Sequence, residues 1–167
     1  MKKIKALILF VLVISVLTGC SALSKITGDD LKTFDLDKLT IEAPKTLSDQ
    51  SGNSDFEGFD FALADMEIAI IGLFEDPSIL EDGDSLTLEE YADMIVYYNE
   101  LDSEVMTRAD EDYLYIVYEA TVDDIVFKYL GGMYKTEEGF WFIQIYSEAD
   151  SFDQETFLSY LDSVSFK

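Results

Sequence analysis

The sequence contains no histidine, a single cysteine and only two prolines among its 167 residues. Without histidine, the side chain that most often acts as a general base, a metal ligand or a switch near neutral pH is missing. Because Cys20 is the only thiol, no intramolecular disulfide can form, and Ser-His-Asp, Cys-His and thiolate or imidazole zinc chemistry are all excluded. Stability must therefore come from an apolar core, and only carboxylate chemistry survives.

Basic residues are also scarce, with 11 lysines and arginines against 35 aspartates and glutamates, which gives a net charge of −24. Such a charge repels a phosphate polymer, and the sequence has no basic stripe that could release counterions from one. Nucleic acid is therefore excluded as a natural partner. The abundance of acids does not indicate a glycosidase, because this many carboxyl groups bring some pair to the required separation by chance.

The first twenty residues have the order of a secretory signal, with Lys2, Lys3 and Lys5 followed by an apolar run over residues 6–16. The run is too short to span the roughly 30 Å hydrocarbon core of a bilayer, so we interpret it as a cleaved leader. Leu17-Thr18-Gly19-Cys20 resembles the lipobox of bacterial lipoproteins. The resemblance implies that Cys20 is the lipidation site and that the mature chain is held at the extracytoplasmic face of the cell membrane.

These motifs divide the chain into a signal peptide (1–19), a lipidated tether (20–38) and a globular domain (39–167). No metal or cofactor is expected apart from the lipid on Cys20, a diacylglycerol with or without an N-acyl chain such as palmitate. A flexible tether of this length spans roughly 23 Å, against a Debye length of about 8 Å, so the acidic domain is expected to sit beyond the reach of anionic lipid. A short helix over residues 29–36 is the alternative, and it would shorten the tether.

The first part of the predicted domain favours strands. Residues 39–43 alternate apolar and polar side chains and stop at Pro44, which is typical of an edge strand. Residues 48–58 are polar and predict a loop with an early short strand. Residues 59–73 are ambiguous, since their apolar residues alternate but include alanine and methionine, which favour helix; we expect a strand at the end of this run.

Two amphipathic helices are predicted. The first covers residues 87–101, where Thr87-Leu88-Glu89-Glu90 has the form of a capping box. Its apolar positions recur at helical spacing: Leu88, Tyr91, Ala92, Ile95 and Tyr98. The second follows two candidate caps, Ser151 and Asp153. Its apolar side chains share one face: Phe157, Leu158, Leu161 and Val164.

Three runs rich in aromatic and β-branched residues lie between these helices, at residues 113–122, 125–136 and 140–146. The polar breaks Asp123-Asp124 and Glu137-Glu138-Gly139 predict hairpins, and hence an antiparallel meander. Both faces of these strands carry bulky side chains, so the sheet should be covered on both sides. The predicted fold class is therefore a single-domain α+β fold, in which helices pack on the faces of an antiparallel sheet.

The order of these elements resembles the PsbP-like family of small α+β domains. Four segments carry the resemblance: residues 40–44 (TIEAP), 86–91 (LTLEEY), 139–143 (GFWFI) and 157–166 (FLSYLDSVSF). The resemblance implies a stabilising or docking subunit of a larger assembly, without catalytic activity. The expected partner is then an envelope or cell-surface protein.

The acidic stretch from Glu81 to Glu89 invites comparison with a calcium-binding EF-hand loop, with Gly83 at the sixth position. The comparison fails at the third position, which falls on Leu80 and offers no side-chain oxygen. We interpret the stretch as a turn that leads into the capped helix, with no metal site. A weak, unselective cation site formed by surface acids stays open as an alternative.

Aromatic residues could line a binding groove, although most rings on strands are expected to pack in the core. Tyr113 and Tyr115 are in phase with Glu119 and Thr121, which predicts that both rings are exposed and form a candidate binding surface. The favoured function is a membrane-anchored, non-catalytic interaction or accessory module. The alternatives are a small-ligand or cation-binding lipoprotein and, less favoured, a carboxylate-dependent hydrolase.

Overall fold

The computed structural model describes residues 30–80, 83 and 85–167. The predicted signal peptide, Cys20 and the tether up to residue 29 lie outside the described residues, as do Glu81, Asp82 and Asp84 of the acidic stretch. In the part of the chain that is described, no helix is both long enough and apolar enough to cross a membrane.

The predicted α+β fold class is confirmed, because the described residues form two helices and two antiparallel sheets in one domain. The strands are β1 Leu31–Asp35, β2 Leu39–Pro44, β3 Ser48–Asp49, β4 Phe61–Ala64, β5 Ile68–Glu75, β6 Met106–Thr107, β7 Tyr113–Val122, β8 Ile125–Lys135, β9 Phe140–Glu148 and β10 Ser165–Phe166. The helices are α1 Leu88–Tyr98 and α2 Gln154–Asp162.

The larger sheet has seven strands in the order β3-β4-β5-β9-β8-β7-β6, and its centre is the predicted meander. Asp123 and Asp124 form the β7–β8 turn with φ values of 48° and 68°. Such left-handed conformations suit the two-residue hairpins that match the strand twist, and aspartate tolerates them better than most residues. The two predicted hairpins are therefore confirmed.

Residues 59–73 do not form one strand, because they fold into the β4–β5 hairpin. The Asp65 carboxylate makes the turn, with Oδ1 accepting hydrogen bonds from the backbone N–H groups of Glu67 at 2.8 Å and Ile68 at 3.0 Å. The predicted strand at the end of this run is confirmed as β5. The turn went unpredicted because one aspartate in an apolar run is a weak break.

The predicted tether is too long at its carboxyl end, because residues 31–35 form β1 and pair antiparallel with β2. The alternative short helix is wrong as well. β2 is the centre of a three-stranded sheet, β1-β2-β10, and is not an edge strand. The reason is packing, because Phe34 of β1 is buried against residues of the large sheet that lie far along the chain. This contact holds residues 31–35 in place as a strand.

The large sheet is covered on both faces, as predicted. On one face α1 packs against β7, β8 and β9 through an apolar cluster that includes Tyr91, Ile95 and Phe140. On the other face, α2 and the three-stranded sheet enclose a cluster that includes Ile41, Trp141 and Phe157. The covering of this second face is therefore shared between a helix and a small sheet.

Both helices begin where their caps predict. The Thr87 backbone N–H donates to Glu90 Oε2 at 2.9 Å, and the Glu90 N–H donates to Thr87 Oγ1 at 3.2 Å, which completes a capping box. Of the two candidate caps of α2, Asp153 is the one used, since its Oδ1 accepts from the Thr156 N–H at 3.2 Å. The capped helix predicted to follow the acidic stretch is therefore confirmed.

Candidate functional site

Tyr113, predicted to be an exposed binding residue, is only 3% exposed, so this prediction is wrong. Its hydroxyl donates to Asp162 Oδ1 at 2.6 Å, and Asp162 Oδ2 accepts from Arg108 Nη2 at 2.9 Å. Burial, and then the Asp162 carboxylate, raise the pKa of Tyr113. Tyr115 is half-buried against the same core cluster. The Tyr113 hydroxyl therefore joins β7 to α2, whereas Tyr115 is only partly exposed.

Three further tyrosines form a row in the core on the α1 face of the sheet. The ring of Tyr129 stacks between Tyr118 and Tyr146, at centroid distances of 4.8 and 4.9 Å. The Tyr118 hydroxyl donates to Gln144 Oε1. Burial raises the pKa of Tyr129 to about 12. Because Tyr118 and Tyr146 are buried, this row is packing and not a groove.

One carboxyl group lies largely inside the fold, at the end of β5. Tyr91 of α1 donates its hydroxyl hydrogen bond to Glu75 Oε2. Burial raises the pKa of Glu75, and the Tyr91 hydrogen bond opposes this by lowering it. The ring of Tyr91 also stacks on Phe140 at 4.5 Å. The contact between Glu75 and Tyr91 therefore holds α1 against the sheet.

A small cavity opens beside the only tryptophan. Its volume is about 100 Å³, which is well below the roughly 300–1,000 Å³ of typical small-molecule sites. Lys38 at its rim pairs with Glu138 and lies 5.6 Å from the ring centroid of Phe74. The lining residues are Leu36, Asp37, Lys38, Leu39, Asp60, Phe61, Phe74 and Trp141. The cavity is too small to favour the small-ligand alternative.

Within residues 30–80, 83 and 85–167, no three or more Asp, Glu, His or Cys side chains are grouped so that they could hold a metal ion. The carboxylates that accept hydrogen bonds mostly serve local turns. Asp49 accepts from the Ser51 N–H and Asp76 from the Ser78 N–H, whereas Asp60 accepts from the more distant Phe74 N–H.

Two aromatic side chains of the described residues are exposed and lie outside the core clusters. Tyr97 is 76% exposed and Tyr98 is 48% exposed. Their rings meet edge to face, with centroids 5.3 Å apart and planes inclined by 77°. We call these two residues the tyrosine pair. Edge-to-face contact leaves one ring face open to solvent, and exposed tyrosines are enriched where proteins bind other molecules.

The tyrosine pair is held on a well-defined helix end. The Leu101 N–H donates to the Val96 carbonyl at 3.0 Å, and the Glu100 N–H donates to the Tyr97 carbonyl at 3.2 Å. These two bonds are those of a Schellman motif. Glu100 occupies its left-handed position with a φ of 52°, where glycine is usual. The partly buried Leu101 packs against the α1 cluster and fixes the chain as it leaves the helix.

The prediction of the first helix placed Tyr98 on the apolar face and missed Tyr97. Helical spacing puts Tyr97 about 200° away from Ile95, so the sequence did contain a signal that this ring points away from the core. Tyr98 is half exposed because α1 ends there and its last turn is less covered. The tyrosine pair is therefore the candidate functional site, in place of Tyr113 and Tyr115.

Comparison with known proteins adds no assignment to this site. No protein-family model matches the chain, and no curated protein matches it.

Proposed function

We propose that this protein is a membrane-anchored extracytoplasmic lipoprotein that acts as a non-catalytic interaction or accessory module. The location is supported by the leader and by the resemblance of Leu17-Thr18-Gly19-Cys20 to a lipobox. A diacylglycerol with a further acyl chain on Cys20 would give durable anchoring, whereas a single chain would not. The similarity to PsbP-like domains stays a prediction and agrees with a docking role.

The observation that carries the interaction role is the tyrosine pair. Burial of a large ring is favourable by about 1.5–3 kcal/mol, and most of the other aromatic rings in the described chain are buried or partly buried. Leaving two adjacent rings exposed on a rigid helix end forgoes that stabilisation. A partner that covers them would recover it, which is how exposed tyrosines come to dominate binding energy in interfaces.

Metabolic labelling with an alkyne analogue of palmitate tests the anchor. The wild-type protein should be labelled and the Cys20→Ala variant should not. Equal labelling of both proteins, or of neither, would reject lipidation at Cys20 and with it the proposed location.

Crosslinking in intact cells, followed by purification of the full chain, tests the interaction role. A specific envelope protein should be recovered with the wild type and lost with the double variant Tyr97→Ala/Tyr98→Ala. The matched control is Ile79→Ala, because Ile79 is 68% exposed on a separate 3-10 turn. A partner recovered equally from all three proteins would remove the tyrosine pair as the site.

A further inference from the structure

The charge around the tyrosine pair is of one sign. No lysine or arginine occurs between Lys45 and Arg108, while the same interval holds 17 aspartates and glutamates. Asp93 is exposed one helical turn before Tyr97, and the exposed Glu100 follows three residues after it. A spacing of four residues brings the helical side chains of Asp93 and Tyr97 together. Glu100 lies just past the helix end, where its backbone N–H donates to the Tyr97 carbonyl at 3.2 Å, so an acidic residue lies near Tyr97 on each side of it along the chain.

The end of α1 adds to this negative potential. The aligned peptide dipoles of a helix place a partial negative charge at its carboxyl terminus, where basic side chains are normally favoured. The last turn of α1 contains no basic residue, and the chain continues through the exposed Asp102 and Glu104. The described side chains of Asp93, Glu100, Asp102 and Glu104 are not among those that form ion pairs.

The basic side chains of the described residues are occupied elsewhere. Ion pairs engage five of them: Lys38, Lys45, Arg108, Lys128 and Lys167. The other two donate to backbone carbonyls, Lys32 to Leu47 and Lys135 to Leu86, and each also lies over an aromatic ring. The described part of the chain therefore supplies no cation to the tyrosine pair.

We infer that the tyrosine pair and the carboxylates of Asp93 and Glu100 form the docking site for a lysine- or arginine-rich segment of a partner protein. This inference rests on the proposed function and specifies the chemistry of the partner. An ammonium or guanidinium group packs over the open face of a tyrosine ring, while carboxylates beside the ring neutralise its charge. Aliphatic stems of lysine and arginine cover the ring edges, so one segment satisfies both the apolar and the acidic parts of the site.

Complementarity of charge favours a cationic segment over a neutral or an acidic one. A neutral apolar segment would bury the rings but would also remove Asp93 and Glu100 from water without a counter-charge, which is unfavourable. An acidic segment would be repelled by the same carboxylates and by the net charge of −24. A cationic segment is attracted at long range, and this attraction also raises the rate of association.

The test measures binding of a short fluorescent peptide of alternating lysine and glycine by anisotropy. The full-length lipidated protein is used in neutral detergent micelles at physiological ionic strength. Loss of two exposed cation–π contacts in Tyr97→Ala/Tyr98→Ala should weaken binding about tenfold, and charge reversal in Asp93→Lys should weaken it by about the same factor. The matched control is Asp55→Lys, which makes the same charge change at a partly exposed residue of a separate 3-10 turn.

We expect the Asp55→Lys variant to bind within about twofold of wild type, because Asp55 lies on a different element and salt weakens interactions between charges that are not in contact. Equal weakening by Asp55→Lys and Asp93→Lys would mean that the peptide follows net charge alone, and would overturn the site. Unchanged binding by the double tyrosine variant would overturn it as well. If that variant nevertheless loses its partner in cells, the interaction module stands and only the cationic partner is rejected.

The reverse result also separates the two proposals. Peptide binding that depends on the tyrosine pair, together with unlabelled Cys20, would reject the lipoprotein and leave the cationic docking site standing. Circular dichroism of each variant should match the wild type, since the substituted side chains are exposed or half exposed.

Discussion

Replacing Tyr113 by phenylalanine removes one hydroxyl from the connection between β7 and α2 and leaves the buried ring in place. That hydroxyl donates to the Asp162 carboxylate at 2.6 Å. A hydrogen bond to a charged group contributes about 1.5–3 kcal/mol, and no cavity is formed beyond the volume of one oxygen. The Asp162 side chain is 25% exposed and keeps its ion pair with Arg108, so we expect the lower end of the range, a loss of about 1.5 kcal/mol.

Urea unfolding followed by circular dichroism measures this loss. With a denaturant slope of about 2 kcal/mol/M, the midpoint of Tyr113→Phe should fall by roughly 0.7 M. Tyr115→Phe is the matched control, because Tyr115 lies on the same face of β7 and its hydroxyl forms no hydrogen bond with any described residue. We expect a change below about 0.5 kcal/mol there. Equal midpoints for the two variants would refute the role of Tyr113 in joining β7 to α2.

Three further substitutions test the fold. Gly72→Ala should destabilise by about 1–3 kcal/mol, because a Cβ atom would lie 2.0 Å from Cε1 of the buried Phe61 ring. Glu100→Gly should stabilise by about 1 kcal/mol, since glycine adopts left-handed φ without the steric cost that other residues have there. Glu75→Gln should raise stability at pH 7, because burial raises the folded-state pKa of Glu75 above its ordinary 4.5. Protonation of the Glu75 carboxyl contributes stability that is fully present below pH 4.5 and is lost as pH rises through the raised pKa. The Glu75→Gln variant should therefore be more stable than the wild type at pH 7 but not in acid.

Each of these three substitutions has a matched control variant. The stability of every variant is measured as its urea unfolding midpoint. Gly52→Ala places its Cβ in open space and should be neutral or slightly stabilising; a loss as large as that of Gly72→Ala would contradict the clash. Glu57 has a φ of −59°, so Glu57→Gly should destabilise where Glu100→Gly stabilises. Glu57→Gln removes an exposed charge and serves as the control for Glu75→Gln. If the two substitutions changed stability with the same pH dependence, the effect at Glu75 would be one of net charge and not of burial.

The meander and the two helices could be predicted because local signals agreed there. Strands β7, β8 and β9 combine β-branched and aromatic residues with short polar turns, and both helices carry capping side chains at their first turn. Strand β1 had no such signal. It is short, and its order depends on contacts of Phe34 with residues far along the chain, which a local pattern does not contain.

The orientation of Tyr113 shows a different limit. A period of two identifies which residues of β7 share a face, and Tyr113 and Tyr115 do share one. It does not identify which face is covered by another layer when both faces carry large side chains. The polar residues Glu119 and Thr121 lie toward the far end of β7, where burial decreases, so their phase was a poor guide to the exposure of Tyr113.

The charged residues of the described chain are distributed unevenly over the fold. Lys32, Lys38, Lys45 and Lys167 all lie on or beside the small sheet β1-β2-β10, which covers the face of the large sheet opposite α1. The first described strand, β1, belongs to that small sheet. Each of these lysines is engaged within the fold, by an ion pair or by a backbone carbonyl.

Helix α1 packs on the opposite face of the large sheet. Its like-charged neighbours Glu90 and Asp93 repel one another, and the acids after Tyr98 oppose the helix dipole. The fold gains no stability from these charges, since Glu100, Asp102 and Glu104 take no part in its ion pairs. In the proposed docking site, these charges attract the cationic segment of a partner protein.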